Sequence, residues 1–157
     1  FRGAEMFSLA IAFCLFLVAS GNSQYPFGVC YHGQLSQVTC NKQGQCAAGQ
    51  SCINGLCCTI TGKEYTAACG GVAATGSCSG GRCSDPTQTC TASNYCCECA
   101  VGRASGKCIS GACPAGFSCN AGGFCCPSCP SGAMPFGACQ NGGCGGGRSC
   151  RAGNICC

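Results

Sequence analysis

The spacing of the cysteines is the feature that most restricts how this chain can fold. Four sets of six cysteines follow one another, and every set has the spacing C-x(8–9)-C-x(4–5)-C-x(5–6)-C-x(4–5)-C-C. A pattern that recurs about every 30 residues is typical of a tandem array of small modules. The sets are Cys30, Cys40, Cys46, Cys52, Cys57, Cys58; Cys69, Cys78, Cys83, Cys90, Cys96, Cys97; Cys99, Cys108, Cys113, Cys119, Cys125, Cys126; and Cys129, Cys139, Cys144, Cys150, Cys156, Cys157.

These sets define four modules, at residues 30–58, 69–97, 99–126 and 129–157. A polar linker, residues 59–68, separates the first two modules, whereas the later joints contain only one and two residues. Because such short joints leave little freedom, we expect modules two to four to form a stiff rod, with the first module on a looser tether.

Other residues recur at fixed places within the modules. A glycine stands two positions before every third cysteine, where it marks a tight turn that needs positive φ; these are Gly44, Gly81, Gly111 and Gly142. A large apolar residue precedes every cysteine pair, and we expect it to fill the small core of its module; these are Leu56, Tyr95, Phe124 and Ile155.

Each module is predicted to contain a short hairpin, with the fourth cysteine on one arm and the cysteine pair on the other. In the first module the two arms are joined by Asn54-Gly55, a strong signal for a hairpin turn. Because neighbouring side chains on a strand face opposite ways, the paired cysteines should bond two different partners. The predicted fold class is small and disulfide-rich: four tandem six-cysteine modules, each a short β-hairpin plus loops, with little or no helix.

An apolar segment precedes the modules. Residues 7–19 are almost all apolar or small, and small residues follow where signal peptidase cuts. The run is too short to span a bilayer. Residues 1–20 are therefore interpreted as a secretory signal peptide whose true start is Met6, and the product as an exported protein of the extracellular space without stable membrane insertion.

Removal of the signal peptide leaves an even number of cysteines. Cys14 is lost with it, so that 25 − 1 = 24 remain. A dense, even set of cysteines in an exported chain is typical of a disulfide framework. Residues 21–157 hold only 19 large apolar side chains, too few to stabilise four modules by burial alone. All 24 cysteines of the four sets are thus predicted to form about twelve structural disulfides within the modules, although six cysteines allow fifteen pairings and the sequence does not choose among them.

The third module resembles the CC domain, a short module of secreted nematode proteins that is named for its terminal cysteine pair. The resemblance rests on the segment from Gly106 to Cys126, and the fourth module is similar through Asn-Ile-Cys-Cys at its end. The second module matches in spacing alone. Lustrin-type repeats of shell and cuticle proteins share a similar cysteine order. These resemblances imply export and tandem repetition, and they imply no general activity.

Few residues are suited to catalysis or to metal binding. His32 and Asp85 lie in different modules, so an acid–base pair is not expected and the protein is not predicted to be an enzyme. Two spacings, Cys97-x-Cys99 and Cys126-Pro-Ser-Cys129, resemble those of metal ligands, but each straddles a module boundary and neither recurs within modules, so no metal and no cofactor are predicted. A net charge of +4 is too small to predict binding to nucleic acid.

The remaining interpretation is a non-enzymatic structural or interaction protein of matrix or cuticle type, whose partner is an extracellular protein or polysaccharide. Protease inhibition is one alternative, although the basic residues beside cysteines, Arg82 and Lys107, do not recur. Carbohydrate binding on the same scaffold is the other, through aromatic rings that could stack on sugars. The candidate rings are Tyr25, Phe27, Tyr31, Phe117 and Phe136.

Overall fold

Short antiparallel strands supply most of the regular secondary structure of residues 26–157, which are the part of the chain that the structure, a computed structural model, describes. The strands are β1 (Gly28–Val29), β2 (Leu35–Ser36), β3 (Gln50–Ile53), β4 (Leu56–Thr59), β5 (Gly76–Ser77), β6 (Thr89–Cys90), β7 (Tyr95–Cys97), β8 (Phe117–Cys119), β9 (Cys125–Pro127), β10 (Cys150–Arg151) and β11 (Ile155–Cys156). A single 3-10 turn, Glu64–Thr66, lies in the linker. The predicted small disulfide-rich fold is confirmed, whereas the predicted signal peptide lies outside the described residues. Within residues 26–157 no helix has the length and apolar character needed to cross a membrane.

Each module contains the same hairpin, formed by β3–β4, β6–β7, β8–β9 and β10–β11 in chain order. In all four, the fourth cysteine lies directly opposite the fifth, as Cys52 does opposite Cys57. In every module, the residue before the second cysteine also pairs with the second arm of the hairpin. In module two it belongs to β5, which pairs with β7, and in the other modules it forms a single bridge to the apolar residue before the cysteine pair. The predicted hairpin placement of the cysteines is therefore confirmed.

All four modules have the same disulfide pairing. The first cysteine bonds the sixth, the second bonds the fourth and the third bonds the fifth. The bonds are Cys30–Cys58, Cys40–Cys52 and Cys46–Cys57; Cys69–Cys97, Cys78–Cys90 and Cys83–Cys96; Cys99–Cys126, Cys108–Cys119 and Cys113–Cys125; and Cys129–Cys157, Cys139–Cys150 and Cys144–Cys156. The two members of every cysteine pair bond different partners, so each hairpin is tied to both of the loops that precede it.

The large apolar residues before the cysteine pairs do more than fill single modules. Leu56 and Ile155 are fully buried and Phe124 is nearly so, while Tyr95 is half-buried. Leu56 packs with Cys30 and Cys58 of its own module, and Phe136 of the fourth module covers the same cluster. The core of the first module therefore extends into the fourth.

The expected rod of modules two to four is wrong, because Asn154 of the fourth module donates to the Gly70 carbonyl of the second. The fourth module also folds back onto the first. A Cβ atom placed on Gly28 would lie 2.3 Å from the carbonyl oxygen of Phe136, and one placed on Gly55 would lie 2.6 Å from that of Pro135. The linker is not a loose tether either, since three of its residues, Glu64, Ala67 and Ala68, are buried. A first module on a loose tether would leave the apolar face around Leu56 in water, and the closed arrangement removes that face from solvent.

Candidate functional site

The four modules meet at Gly70, in the chain that enters module two. Its backbone N–H donates to Asn54 Oδ1 at 2.8 Å. Its carbonyl oxygen accepts from Asn154 Nδ2 at 2.8 Å and from Arg103 Nε at 2.9 Å. Asn54 belongs to the first module, Arg103 to the third and Asn154 to the fourth. These four residues, Asn54, Gly70, Arg103 and Asn154, are called the Gly70 junction below.

Hairpin turns place the two asparagines of the Gly70 junction. Asn54 and Asn154 both have positive φ, +50° and +60°, a conformation that asparagine adopts more readily than most residues with a side chain. Asn54 is 5% exposed and also donates from Nδ2 to the Ala67 carbonyl at 2.9 Å. Gly70 has φ of +67°, and a Cβ atom on it would lie 2.3 Å from the carbonyl carbon of Gly102. Only glycine fits this position.

A cavity of about 370 Å³ lies beside the Gly70 junction. All four modules contribute to its lining, which includes Tyr31, Arg103, Gln140, Asn141 and Asn154. Among the described residues that line it there is one cation and no carboxylate. The cavity therefore combines a positive charge with several amide groups, each of which can donate and accept hydrogen bonds.

Two hydrogen-bond donors lie near Gly71 at the edge of this cavity. A Cβ atom placed on the exposed Gly71 would lie 3.0 Å from Asn154 Nδ2 and 3.5 Å from Arg103 Nη2. The bonds from both side chains to the Gly70 carbonyl hold these groups in place. The site is thus formed in advance by backbone and side-chain contacts between modules.

Glu64 fixes one wall of the cavity through Tyr31. The Glu64 carboxylate accepts hydrogen bonds from the Thr61 and Gly62 amides, the latter at 3.0 Å, and from the Tyr31 hydroxyl at 3.1 Å. Burial raises the pKa of Glu64, but the backbone and hydroxyl hydrogen bonds lower it by more, so that it lies below its ordinary value of 4.5. Burial also raises the pKa of Tyr31, with help from Glu64, so Tyr31 stays protonated and donates at neutral pH.

Substitution of Glu64 by glutamine is expected to lower the free energy of unfolding at pH 7 by about 2 kcal/mol, because a charge-assisted set of hydrogen bonds is weakened. The lowered pKa of Glu64 stabilises the folded chain above pH 4.5, and this contribution is lost as the pH falls through the folded-state value. Urea unfolding of the oxidised protein at a series of pH values would measure both effects. Glu98→Gln is the matched control, since Glu98 is exposed. An equal loss in both variants would contradict the role given to Glu64.

A second cavity, of about 330 Å³, lies between modules two and three. Its walls include Val72, Ala73 and the disulfide Cys69–Cys97, and both Glu98 and Arg103 line it. Arg103 therefore stands between two cavities. In this one a carboxylate accompanies the guanidinium group, whereas in the cavity beside Gly70 none does.

All 24 cysteines of the four sets lie in disulfides, and two of the three disulfides of each module are in contact. Three sulfur atoms per module thereby fall within 4.8 Å of one another. In module two, for example, the sulfur atoms of Cys96 and Cys78 are 3.9 Å apart although each bonds another partner. A disulfide sulfur is not a thiolate, the form of cysteine that binds metal, so these groups are covalent staples in the oxidised chain.

The two candidates for acid–base chemistry occupy separate exposed loops. His32 is exposed and its Nε2 lies 3.1 Å from Gln34 Oε1. Asp85 is exposed and accepts from the side chain and the backbone amide of Thr87. The hydroxyl and then the amide of Thr87 lower the pKa of Asp85. These bonds are those of a local turn.

The candidate sugar-stacking rings have different surroundings. Among those in residues 26–157, Tyr31 is the one that lines the cavity beside Gly70. Phe27 packs against Gly145 and Gly146, where a Cβ atom would lie under 3 Å from it. Phe136 lies against the first module with the Arg148 guanidinium 3.5 Å from its ring centre. Phe117 is half-buried in β8, and Tyr25 lies outside the described residues.

Tyr31 was singled out from the sequence as a possible sugar-stacking ring, whereas the polar residues that line the cavity with it were not, because they come from different modules. Arg103 lies in a loop with no motif around it, and Gln140 and Asn141 belong to a turn. Asn54 was noticed in the sequence, but only as part of a hairpin turn. The two basic residues that were singled out lie elsewhere: Arg82 is exposed at a turn of module two, and Lys107 lies 5.6 Å from the ring centre of Phe124.

Comparison with known proteins gives no match: neither a family model nor a curated protein nor a solved structure is significantly similar to this chain.

Proposed function

We propose that this chain is a non-enzymatic extracellular binding protein whose modules build one composite ligand surface. The observation that carries the proposal is the cavity beside the Gly70 junction, because all four modules contribute to its lining. Twelve disulfides in residues 26–157 are consistent with an extracellular cysteine-rich protein. Rigid scaffolds of this kind lose little conformational entropy when they bind, which favours a binding role.

The described titratable groups support a role without catalysis. Glu64 is buried and its carboxylate already accepts three hydrogen bonds. His32 and Asp85 each interact within their own loop. General acid–base chemistry needs such groups to face a common reacting centre, and the cavity beside Gly70 is lined by amides and a guanidinium group.

Non-covalent binding is favoured over covalent incorporation into a matrix. Every cysteine in residues 26–157 has its disulfide partner within this chain, so a bridge to another molecule would require disulfide exchange. The matrix or cuticle location and the kinship with CC-domain proteins stay predictions. The closed arrangement of modules supports a compact binder more than a spacer.

The proposal is tested by presenting the oxidised chain to immobilised extracellular proteins and to neutral and acidic polysaccharides, and by adding it to a panel of serine and metalloproteases. We expect retention on at least one polymer or protein, release by salt or competing ligand without reductant, and no protease inhibition. Absence of retention on the whole panel would overturn the proposal, and so would release by reductant alone.

Protease inhibition is the second candidate, and one observation favours it. Ile109 is 80% exposed on a tight turn that is closed by two backbone hydrogen bonds between Ile109 and Ala112. An exposed apolar side chain on a rigid turn suits insertion into an enzyme pocket. Stoichiometric inhibition that is lost in Ile109→Ser, and kept in a variant of another exposed apolar residue such as Leu35→Ser, would establish this function instead.

A further inference from the structure

We propose that the cavity beside the Gly70 junction binds an acidic saccharide unit, a sugar that carries a carboxylate or a sulfate group. This inference rests on the proposed function, since it names the ligand class of the same site. Three features of the cavity carry this inference. They are a guanidinium group that is held by a hydrogen bond, a lining without carboxylates, and amide side chains that line the same cavity.

The guanidinium group of Arg103 supplies the attraction for an anion. Arg103 is exposed, but its Nε donates to the Gly70 carbonyl at 2.9 Å, which restrains the side chain, and within the described residues this is the side chain's one hydrogen bond to protein. The terminal nitrogens are left to bind a ligand, and the planar fork of arginine matches carboxylate and sulfate oxygens in pairs. Asn154 Nδ2 adds a donor beside Nη2, at the edge formed by Gly71.

The surrounding charges do not oppose an anion. No carboxylate lies among the described residues that line the cavity. Glu64 stands behind Tyr31 and outside the lining, and its carboxylate accepts hydrogen bonds from two backbone amides and the Tyr31 hydroxyl. The chain as a whole has a net charge of +4. The other cavity that Arg103 lines is less suitable, because Glu98 shares it.

The amide groups suit the hydroxyls of a sugar. Gln140, Asn141 and Asn154 each offer a donor and an acceptor, as sugar hydroxyls do. The half-buried Tyr31 presents an aromatic ring at the same cavity, and such rings pack against the apolar face of a sugar. A volume of about 370 Å³ lies near the lower end of small-ligand sites, which indicates one or two sugar units.

The test is calorimetric and NMR titration of the full chain, with its disulfides intact, against glucuronate, glucose 6-sulfate, glucose and inorganic sulfate. We expect glucuronate or glucose 6-sulfate to bind at least about tenfold more tightly than glucose and than inorganic sulfate, and this binding to weaken as salt is added. Preference for glucuronate would identify a uronic acid as the ligand, and preference for glucose 6-sulfate a sulfated sugar. Either supports the inference.

Variants locate the binding. Gln140→Glu places a carboxylate in the cavity with little change of shape, and we expect it to weaken binding of the preferred acidic sugar at least about tenfold. Gln88→Glu is the matched control: it adds the same charge in module two, outside the lining, and should change the affinity less than about twofold. Asn141→Asp repeats the test without altering the Gly70 junction, should Gln140→Glu fail to fold.

Several results would overturn the inference. They are equal affinity for glucose and the acidic sugars, equal affinity for inorganic sulfate, equal effects of Gln140→Glu and Gln88→Glu, or no binding of any probe. Retention of the chain on immobilised proteins or neutral polysaccharides would in those cases leave the proposed binding function in place. Failure of the ligand assignment is therefore distinguishable from failure of the function.

Discussion

Replacing Gly70 by alanine is expected to lower the free energy of unfolding by about 4 kcal/mol, which is large for a single methyl group. Positive φ costs a residue with a side chain about 1–2 kcal/mol, and the added Cβ atom would lie 2.3 Å from the carbonyl carbon of Gly102 and 2.6 Å from the amide nitrogen of Arg103. The backbone has to move, and the Gly70 amide's bond to Asn54 and its carbonyl's bond from Asn154 are lost with it. Urea unfolding of the oxidised chain would measure the loss, and hydrogen exchange of the Gly70 amide would show the opening of the junction.

Gly81→Ala is the matched control, because Gly81 has φ of +75° and no atom within 4 Å of an added Cβ. This variant should lose only about 1–2 kcal/mol of unfolding free energy. Equal losses in the two variants would contradict the role of the Gly70 junction.

Removing the second-to-fourth disulfide is expected to have unequal effects in modules one and three. Replacing Cys40 and Cys52 by alanine opens a loop worth about 3 kcal/mol and also removes two buried sulfur atoms from an apolar cluster. Replacing Cys108 and Cys119, which are half-buried and exposed, opens a loop of almost the same length, with sequence separation 11 against 12. The stabilisation from loop closure is therefore nearly the same for the two disulfides. Because Cys40 and Cys52 are also buried, we expect the first double variant to lose about 1–2 kcal/mol more of its unfolding free energy. Urea midpoints of the two variants decide the point, and equal losses would show that these disulfides stabilise by loop closure alone.

The sequence predicted the local fold because the signals for it are local. The Asn54-Gly55 turn sets two residues of positive φ in a row, and the alternation of side chains along β4 sends Cys57 and Cys58 to different partners. The disulfide pairing could not be predicted from the sequence, since it depends on how the loops before the hairpin cross the hairpin. That crossing is a matter of distances in space, which spacing along the chain does not record.

The arrangement of the modules could not be predicted for a different reason. Leu56 was assigned to the core of its own module, and nothing in the pattern indicated that Phe136, about eighty residues later, would cover it. Short joints suggested stiffness, but a stiff chain can also turn back on itself. The candidate site could not be predicted for the same reason. Its residues come together only when the modules pack, so no continuous segment of the sequence contains the whole site.

The register of the hairpins bears on how the protein matures. Cys52 and Cys57 face each other across β3 and β4 yet bond to Cys40 and Cys46 instead, and the corresponding two face each other in every module. Because the loop between them is short, we expect air oxidation of the newly made chain to form this wrong bridge early, among other short-range ones. Reaching the final pairing then requires thiolate attack on that bridge. Efficient production therefore calls for a compartment with isomerase activity, and recombinant yields should depend on a glutathione redox buffer.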